Sequence, residues 1–318
     1  MGKPTVFEIS YDQPDGVYYS GSKVSGYVKL AFDEPTRVRA ISIRFKGQAD
    51  VMWKVGKQYY KGIEPYFEQT LMLLGVAPSQ NQTEQELPSG PHSFRFEYQL
   101  PHGLSSSFQE TGGKVKYSAT CYLIWSGSLN KKLKVPFTVV GFLDLNTIPT
   151  TPLQGTSEKQ LCCCCCRSGP IKATLNIEKN TFVPGEAIKI FAQINNGSSR
   201  RIVESNAALN LVFTLKVYDD KRIDSREIAR VRRPGIAPHG SDVWSGEELV
   251  IPPTPPSFLP GCNIIDVKYI LRLHVVPAGP TLGVRVPLEI IIGTIPRVIT
   301  TQPIGPSDVH WPVVPETY

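Results

Sequence analysis

No apolar run in these 318 residues approaches the roughly 20 consecutive residues that a helix needs to cross a bilayer. The opening MGKPTVFEIS lacks the apolar core of a secretory signal. Gly2 follows the first Met, but Val6 stands where N-myristoylation wants Ser or Thr. Histidine is scarce, and His92, His102, His239, His274 and His310 match no metal-ligand or catalytic spacing. There is no serine elbow, phosphate loop or paired-carboxylate motif, so no metal, cofactor, small-molecule substrate or catalysis is expected. A large excess of one charge is missing too. The net charge of +6 permits an anionic lipid surface as partner and does not argue for nucleic acid. Paired cysteine spacing is also absent: the count of seven is odd and five are adjacent, which no disulfide framework explains. This points to a reducing compartment, the cytoplasm, and makes the sequons at Asn81 and Asn196 incidental.

What the chain does have is alternation. Phe94, Phe96, Tyr98 and Leu100 share one parity, with Arg95, Glu97 and Gln99 on the other. Ile188, Ile190, Ala192 and Ile194 alternate likewise, as do Leu209, Leu211, Phe213, Leu215 and Val217. Period two over such segments means half-buried antiparallel strands. Turn signals such as Pro14-Asp15-Gly16, Pro184-Gly185 and Asn196-Gly197 separate them. With 26 Gly, 28 Pro and no convincing helical stretch, the chain reads as all-β. One short helix at most is expected, around residues 104–109, where alternation lapses.

The length suits two domains, and the text repeats. VYYSGSKVSGYV at 17–28 resembles NTFVPGEAIKIF at 180–191, matching Tyr19, Gly21 and Val24 to Phe182, Gly185 and Ile188 with the aromatic one position out of step. Val115-Lys116-Tyr117 recurs 152 residues later as Val267-Lys268-Tyr269, and Lys134-Val135-Pro136 recurs 151 later as Arg285-Val286-Pro287. A shared order at similar shifts implies one domain written twice. The expected organisation is two tandem immunoglobulin-like β-sandwich domains, 1–148 and 170–296. A linker without alternation spans 149–169, and an extended Pro-rich tail spans 297–318.

VYYSGSKVSGYV, LPSGPHSFRFEYQLP at 87–101, LPHGLSSSFQETGGKVKYSATCYL at 100–123, CCCCCRSGPIKATLNIEKNTFVPGEAIKIFAQINNGSS at 162–199 and GCNIIDVKYILRLHV at 261–275 together resemble the arrestin-domain-containing proteins, or α-arrestins. The resemblance covers nearly all of residues 1–296. It implies two sandwiches of the arrestin type and a cytoplasmic adaptor, peripheral to plasma membrane and endosomes, in endocytic sorting of membrane-protein cargo. It also implies a WW-domain HECT ubiquitin ligase as partner, recruited through Pro-Pro-x-Tyr in the tail. The sequence contains no Pro-Pro-x-Tyr; the nearest string is Pro315-Glu316-Thr317-Tyr318, a degenerate docking motif with its Pro315 and Tyr318 in place. A WW groove takes a pre-extended segment between aromatic rings, and Glu316 removes both shape and apolar contact. Two rival functions stand beside the adaptor: a membrane-anchored sorting scaffold without ligase docking, and a hydrolase built on a β-sandwich.

Three features are candidate sites. Cys162, Cys163, Cys164, Cys165 and Cys166 read either as S-acylation acceptors beside a linker or as small apolar residues entering a strand; a metal site is a third reading, but five adjacent Cys lack zinc spacing. Arg200, Arg201, Arg230, Arg232 and Arg233 belong to a basic stretch that reads as a solvated face or as an anionic-surface contact. Cys262 aligns with a cysteine of the family, some members of which engage thioredoxin; a lone Cys before an apolar strand also reads as a buried small residue.

Overall fold

A computed structural model describes residues 4–76, 84–125, 131–160 and 169–298. The first half contains β1 (Val6–Tyr11), β2 (Val17–Tyr19), β3 (Lys23–Phe32), β4 (Thr36–Val55), β5 (Gln58–Gly75), β6 (Gln85–Leu87), β7 (Gly90–Gln99), β8 (Phe108–Glu110), β9 (Gly113–Trp125) and β10 (Lys131–Val140). The second contains β11 (Leu153–Lys159), β12 (Ile171–Ile177), β13 (Thr181–Phe182), β14 (Ala187–Asn196), β15 (Ile202–Val217), β16 (Asp220–Arg233), β17 (Ser241–Val250), β18 (Ile265–Pro277) and β19 (Val284–Ile292).

The two halves share one topology. One sheet of the first half runs β2-β10-β9-β4-β5, and its counterpart runs β13-β19-β18-β15-β16. In each, the short edge strand is parallel to its neighbour, whereas the other pairs are antiparallel. The facing sheets are β1-β3-β7 and β11-β12-β14-β17. Inward residues form the cores that alternation predicts. Phe96, Leu100, Ile188, Ile190, Ile194, Leu209 and Leu215 are buried, and Phe94 and Tyr98 pack against them. Phe45 stacks on Tyr98 at 4.7 Å between ring centres.

The equivalence extends to single hydrogen bonds. Ser107 donates its amide to the Val139 carbonyl and accepts the Val139 amide on its Oγ; Ser257 does both with Ile292. The counterpart of Phe182 is Tyr18 rather than Tyr19. Tyr18 and Phe182 are both buried and pair with Val139 and Ile292, while Tyr19 points to solvent. Gly21 and Gly185, three residues on, both have positive φ (+75° and +90°), which explains the glycine. The Lys-Val-Pro repeat is a near coincidence. Tyr117 faces Phe137 and Tyr269 faces Ile290, so Pro136 corresponds to Glu289, two residues beyond Pro287.

Two expectations are corrected. Residues 104–109 form no helix: the stretch is extended and ends in β8, because serines tie it to its neighbours. Ser20 Oγ accepts the Leu104 amide, Ser106 Oγ the Gly141 amide and Ser107 Oγ the Val139 amide. Among the described residues the helical structure is one 3₁₀ turn, Leu145–Thr147, and no helix is long and apolar enough to cross a membrane. Within the expected linker, β11 is an edge strand paired with β12 from Leu153↔Ile177 to Lys159↔Ile171. Its text, LQGTSEK, has a single large apolar residue, so main-chain bonding and not a hydrophobic face sets it in place.

The sandwiches meet through packing and polar contacts. Phe108 meets Phe213 edge-on at 5.9 Å. The Asn263 amide donates to Glu64 at 3.0 Å, and Arg226 pairs with Glu110 at 2.8 Å. Leu143 and Thr294 exchange hydrogen bonds where the chain leaves each domain.

Candidate functional site

Strand register gathers cations on the outer face of the second sandwich. Arg232, Asn206, His274 and Arg285 form one row across β16, β15, β18 and β19. Arg230, Ala208, Arg272 and Pro287 form the next, about 7 Å along the strands. Most of these side chains surround a shallow cavity of about 150 Å³ floored by the buried Asn206 and Asn210. Arg230 pairs with Glu227; Arg272 and Arg285 have no carboxylate partner among the described residues. Burial, then the nearby Arg285 and Arg230, hold the His274 imidazole below its ordinary pKa.

Of the five arginines singled out in the sequence, Arg230 and Arg232 therefore reach this face, and three do not. Arg233 has the opposite parity and bridges to the facing sheet, pairing with Asp242 at 3.0 Å and with Glu247. Arg200 donates to the Ala278 carbonyl at the sheet's end, and Arg201 is exposed beside it. Sequence proximity missed Arg272, His274 and Arg285, whose only signal is outward parity on their strands.

A second surface lies at the junction. The β4–β5 hairpin keeps Met52, Val55, Tyr59 and Ile63 exposed beside Lys54, Lys57 and Lys61. A Cβ on Gly62 would touch Val217 at 3.4 Å, so the β15–β16 turn flanks the outer part of this hairpin, near its tip. At that turn Tyr218 is 97% exposed, and Ile223 follows it into solvent. Large apolar side chains left in solvent beside charge at a hairpin tip suit an interaction surface.

Cys262 is half-buried behind Asn263 at the same junction. Burial raises its thiol and the neighbouring Tyr66 hydroxyl lowers it, burial dominating. Burial pushes the core Cys121 thiol up to about 12. Asn196 is buried with its amide engaged by Arg200 and Ala237 carbonyls, which suits an incidental sequon. Among the described residues no group of three His, Cys, Asp or Glu could hold a metal ion. Cys162, Cys163, Cys164, Cys165, Cys166, Pro315, Tyr318, Gly2 and Asn81 lie outside the described residues.

Two sandwiches of one topology, joined by side-chain and loop contacts and presenting loops and sheet faces, define a scaffold of the tandem β-sandwich class. The family profile "Arrestin (or S-antigen), N-terminal domain" matches residues 7–146, and "Arrestin (or S-antigen), C-terminal domain" matches 167–297. Arrestin domain-containing protein 4 of Mus musculus is 33% identical over 304 residues, which cover 92% of this chain and 71% of that protein. Thioredoxin-interacting protein of Homo sapiens is 31% identical over 289 residues, covering 89% and 73%. The chain belongs to the arrestin family, in its α-arrestin branch, whose adaptors support a scaffold role.

Proposed function

We propose that this chain is a non-catalytic cytoplasmic adaptor, peripheral to plasma membrane and endosomes, that holds membrane-protein cargo during endocytic sorting. The observation that carries the reading is the pair of hairpin tips, one from each sandwich, with Met52, Val55 and Tyr59 on one and Tyr218 on the other left in solvent beside lysines. Exposed apolar side chains cost solubility, and a recognition surface gives them a use. The link to a WW-domain HECT ubiquitin ligase rests on the family and on the Pro315 to Tyr318 string. The Arg272 and Arg285 face supports contact with anionic lipid, where each cation contributes about 1 kcal/mol.

The test is uptake of biotinylated surface proteins in cells expressing the full chain. Wild type should speed the uptake of a subset, and Val55→Asp with Tyr59→Asp and Tyr218→Asp should abolish that while circular dichroism stays unchanged. No effect of wild type on any surface protein sinks the reading. For the lipid arm, Arg272→Glu with Arg285→Glu should weaken sedimentation with phosphatidylcholine/phosphatidylserine vesicles about tenfold or more. Equal sedimentation makes this patch a solvated sheet face.

A further inference from the structure

Four of the described tyrosines are exposed, and three of their rings are engaged. Tyr59 lies against the Lys54 ammonium at 4.9 Å, Tyr27 against the Arg95 guanidinium at 4.9 Å, and Tyr19 stacks on Phe142 at 5.9 Å. The fourth, Tyr218, is 97% exposed, with neither a ring partner nor a hydroxyl partner among the described residues.

The turn that carries Tyr218 is strained. Val217 pairs with Asp220, so Tyr218 and Asp219 form a two-residue hairpin loop. Tyr218 has a φ of +52°, a left-handed conformation that glycine adopts without cost and an aromatic residue does not. Hairpin loops this short favour Gly, Asn or Asp where φ is positive. Strain of this kind persists where the side chain it displays has a use. Charge around the ring falls into two sets. Asp219 and Asp220 follow at once, both exposed and without a cation partner among the described residues. Lys216 faces Lys221 across the hairpin, and neither has a carboxylate partner among the described residues. β16 is the edge strand of its sheet and bonds there to β15 alone, so opening the turn breaks only the last rungs of one ladder.

We propose that Tyr218 is a phosphorylation site for a protein tyrosine kinase that accepts acidic residues after its target, and that the phosphate releases what the hairpin tips hold. The release rests on the adaptor reading; the modification does not. In the transfer, the Tyr218 Oη attacks the γ-phosphorus of ATP and a new O–P bond forms. The bond from that phosphorus to the β–γ bridging oxygen breaks, ADP leaves, and the hydroxyl proton passes to the base of the kinase. The product carries about −1.5 to −2 charge near pH 7. An apolar ring at the tip thus becomes an anion beside two carboxylates, which neither an apolar pocket nor an anionic surface accepts. Tyr59 on the other tip is a poor rival, because Lys54, Lys57 and Lys61 flank it and Lys54 covers its ring.

The experiment incubates the full chain with MgATP and the catalytic domain of a tyrosine kinase that prefers acidic substrates, and counts phosphopeptides by mass spectrometry. Tyr218 should take phosphate about tenfold faster, or more, than Tyr59, Tyr19 or Tyr27. Asp219→Asn with Asp220→Asn keeps the ring and should slow the modification of Tyr218 about fivefold. Equal rates at Tyr59 and Tyr218, or no phosphate on Tyr218, overturn the proposal. In cells treated with pervanadate to block phosphatases, the phosphotyrosine signal of the immunoprecipitated chain should collapse in Tyr218→Phe. An undiminished signal places the modification elsewhere and overturns the proposal. Under the same treatment, uptake of biotinylated surface proteins should slow with wild type and slow less with the double Asn variant. Phosphate on Tyr218 without any change in uptake overturns the release and leaves the adaptor reading standing. Wild type that never speeds uptake removes the adaptor reading and the release together, while mass spectrometry still decides the site.

Discussion

Tyr117 and Tyr269 hold the same place in the two sandwiches, each donating its hydroxyl over 2.6 Å to a loop carbonyl, Ser105 for one and Pro255 for the other. Both rings are fully buried, and burial holds both phenols well above the ordinary tyrosine range, so each remains a donor. The loops they anchor are those whose Ser107 and Ser257 clasp the ends of β10 and β19. Tyr117→Phe and Tyr269→Phe should each cost about 1–2 kcal/mol, because a buried acceptor is left unpaired. Tyr269→Phe should cost more, since Thr254 Oγ1 at 2.7 Å also loses its partner. Urea unfolding measures both; undiminished midpoints would mean that the loop carbonyls find other donors.

Gly21 and Gly185 separate backbone strain from steric clash at one repeated position. Both have positive φ, so an alanine at either is strained by about 1–2 kcal/mol. A Cβ on Gly185 would meet nothing within 4 Å, but one on Gly21 would lie 2.3 Å from His102 Nδ1. Gly21→Ala should therefore destabilise more than Gly185→Ala. Combining Gly21→Ala with His102→Ala should cancel the excess, a coupling that a double-mutant cycle reads directly. Additive losses would show that the ring moves aside without cost.

Period-two text revealed the strands and their inward faces, because burial on one side of a sheet leaves a local imprint at Ile188 and Leu209 as it does at Phe96. Edge strands leave less. β11 binds β12 through its main chain, and nothing in LQGTSEK announces that. The serine-rich 104–107 stretch lost its alternation because side-chain hydroxyls satisfy its neighbours' amides. The cationic face was half legible. Arg230 and Arg232 are close in sequence, whereas Arg272, His274 and Arg285 lie some 40 to 55 residues further on and join them only through strand register. Arg233, adjacent to Arg232, is lost to the face for the reason that strands alternate.

His274 gives that face a pH dependence whose sign follows from its surroundings. Arg272 is two residues away on β18, Arg285 faces it from β19, and Arg232 and Arg230 lie on β16. Glu204 acts in the opposite sense but is outweighed by burial and the arginines. With its folded pKa below the ordinary 6.5, the native imidazole resists a proton that the unfolded chain accepts. Stability should therefore be fully present above about pH 6.5 and fall as pH drops below it, levelling off once the folded value is passed. The lowered carboxyls of Asp12, Glu68 and Glu97 titrate below this window and do not confuse it. His274→Gln should flatten the profile of urea midpoints between pH 7.5 and pH 5.5, and Arg285→Gln should move the inflection upward by relieving one source of repulsion. An anion bound among the arginines should do the same, so adding phosphatidylserine vesicles should raise the imidazole pKa read by NMR. A wild-type profile already flat across this range would show that His274 does not feel the cations around it.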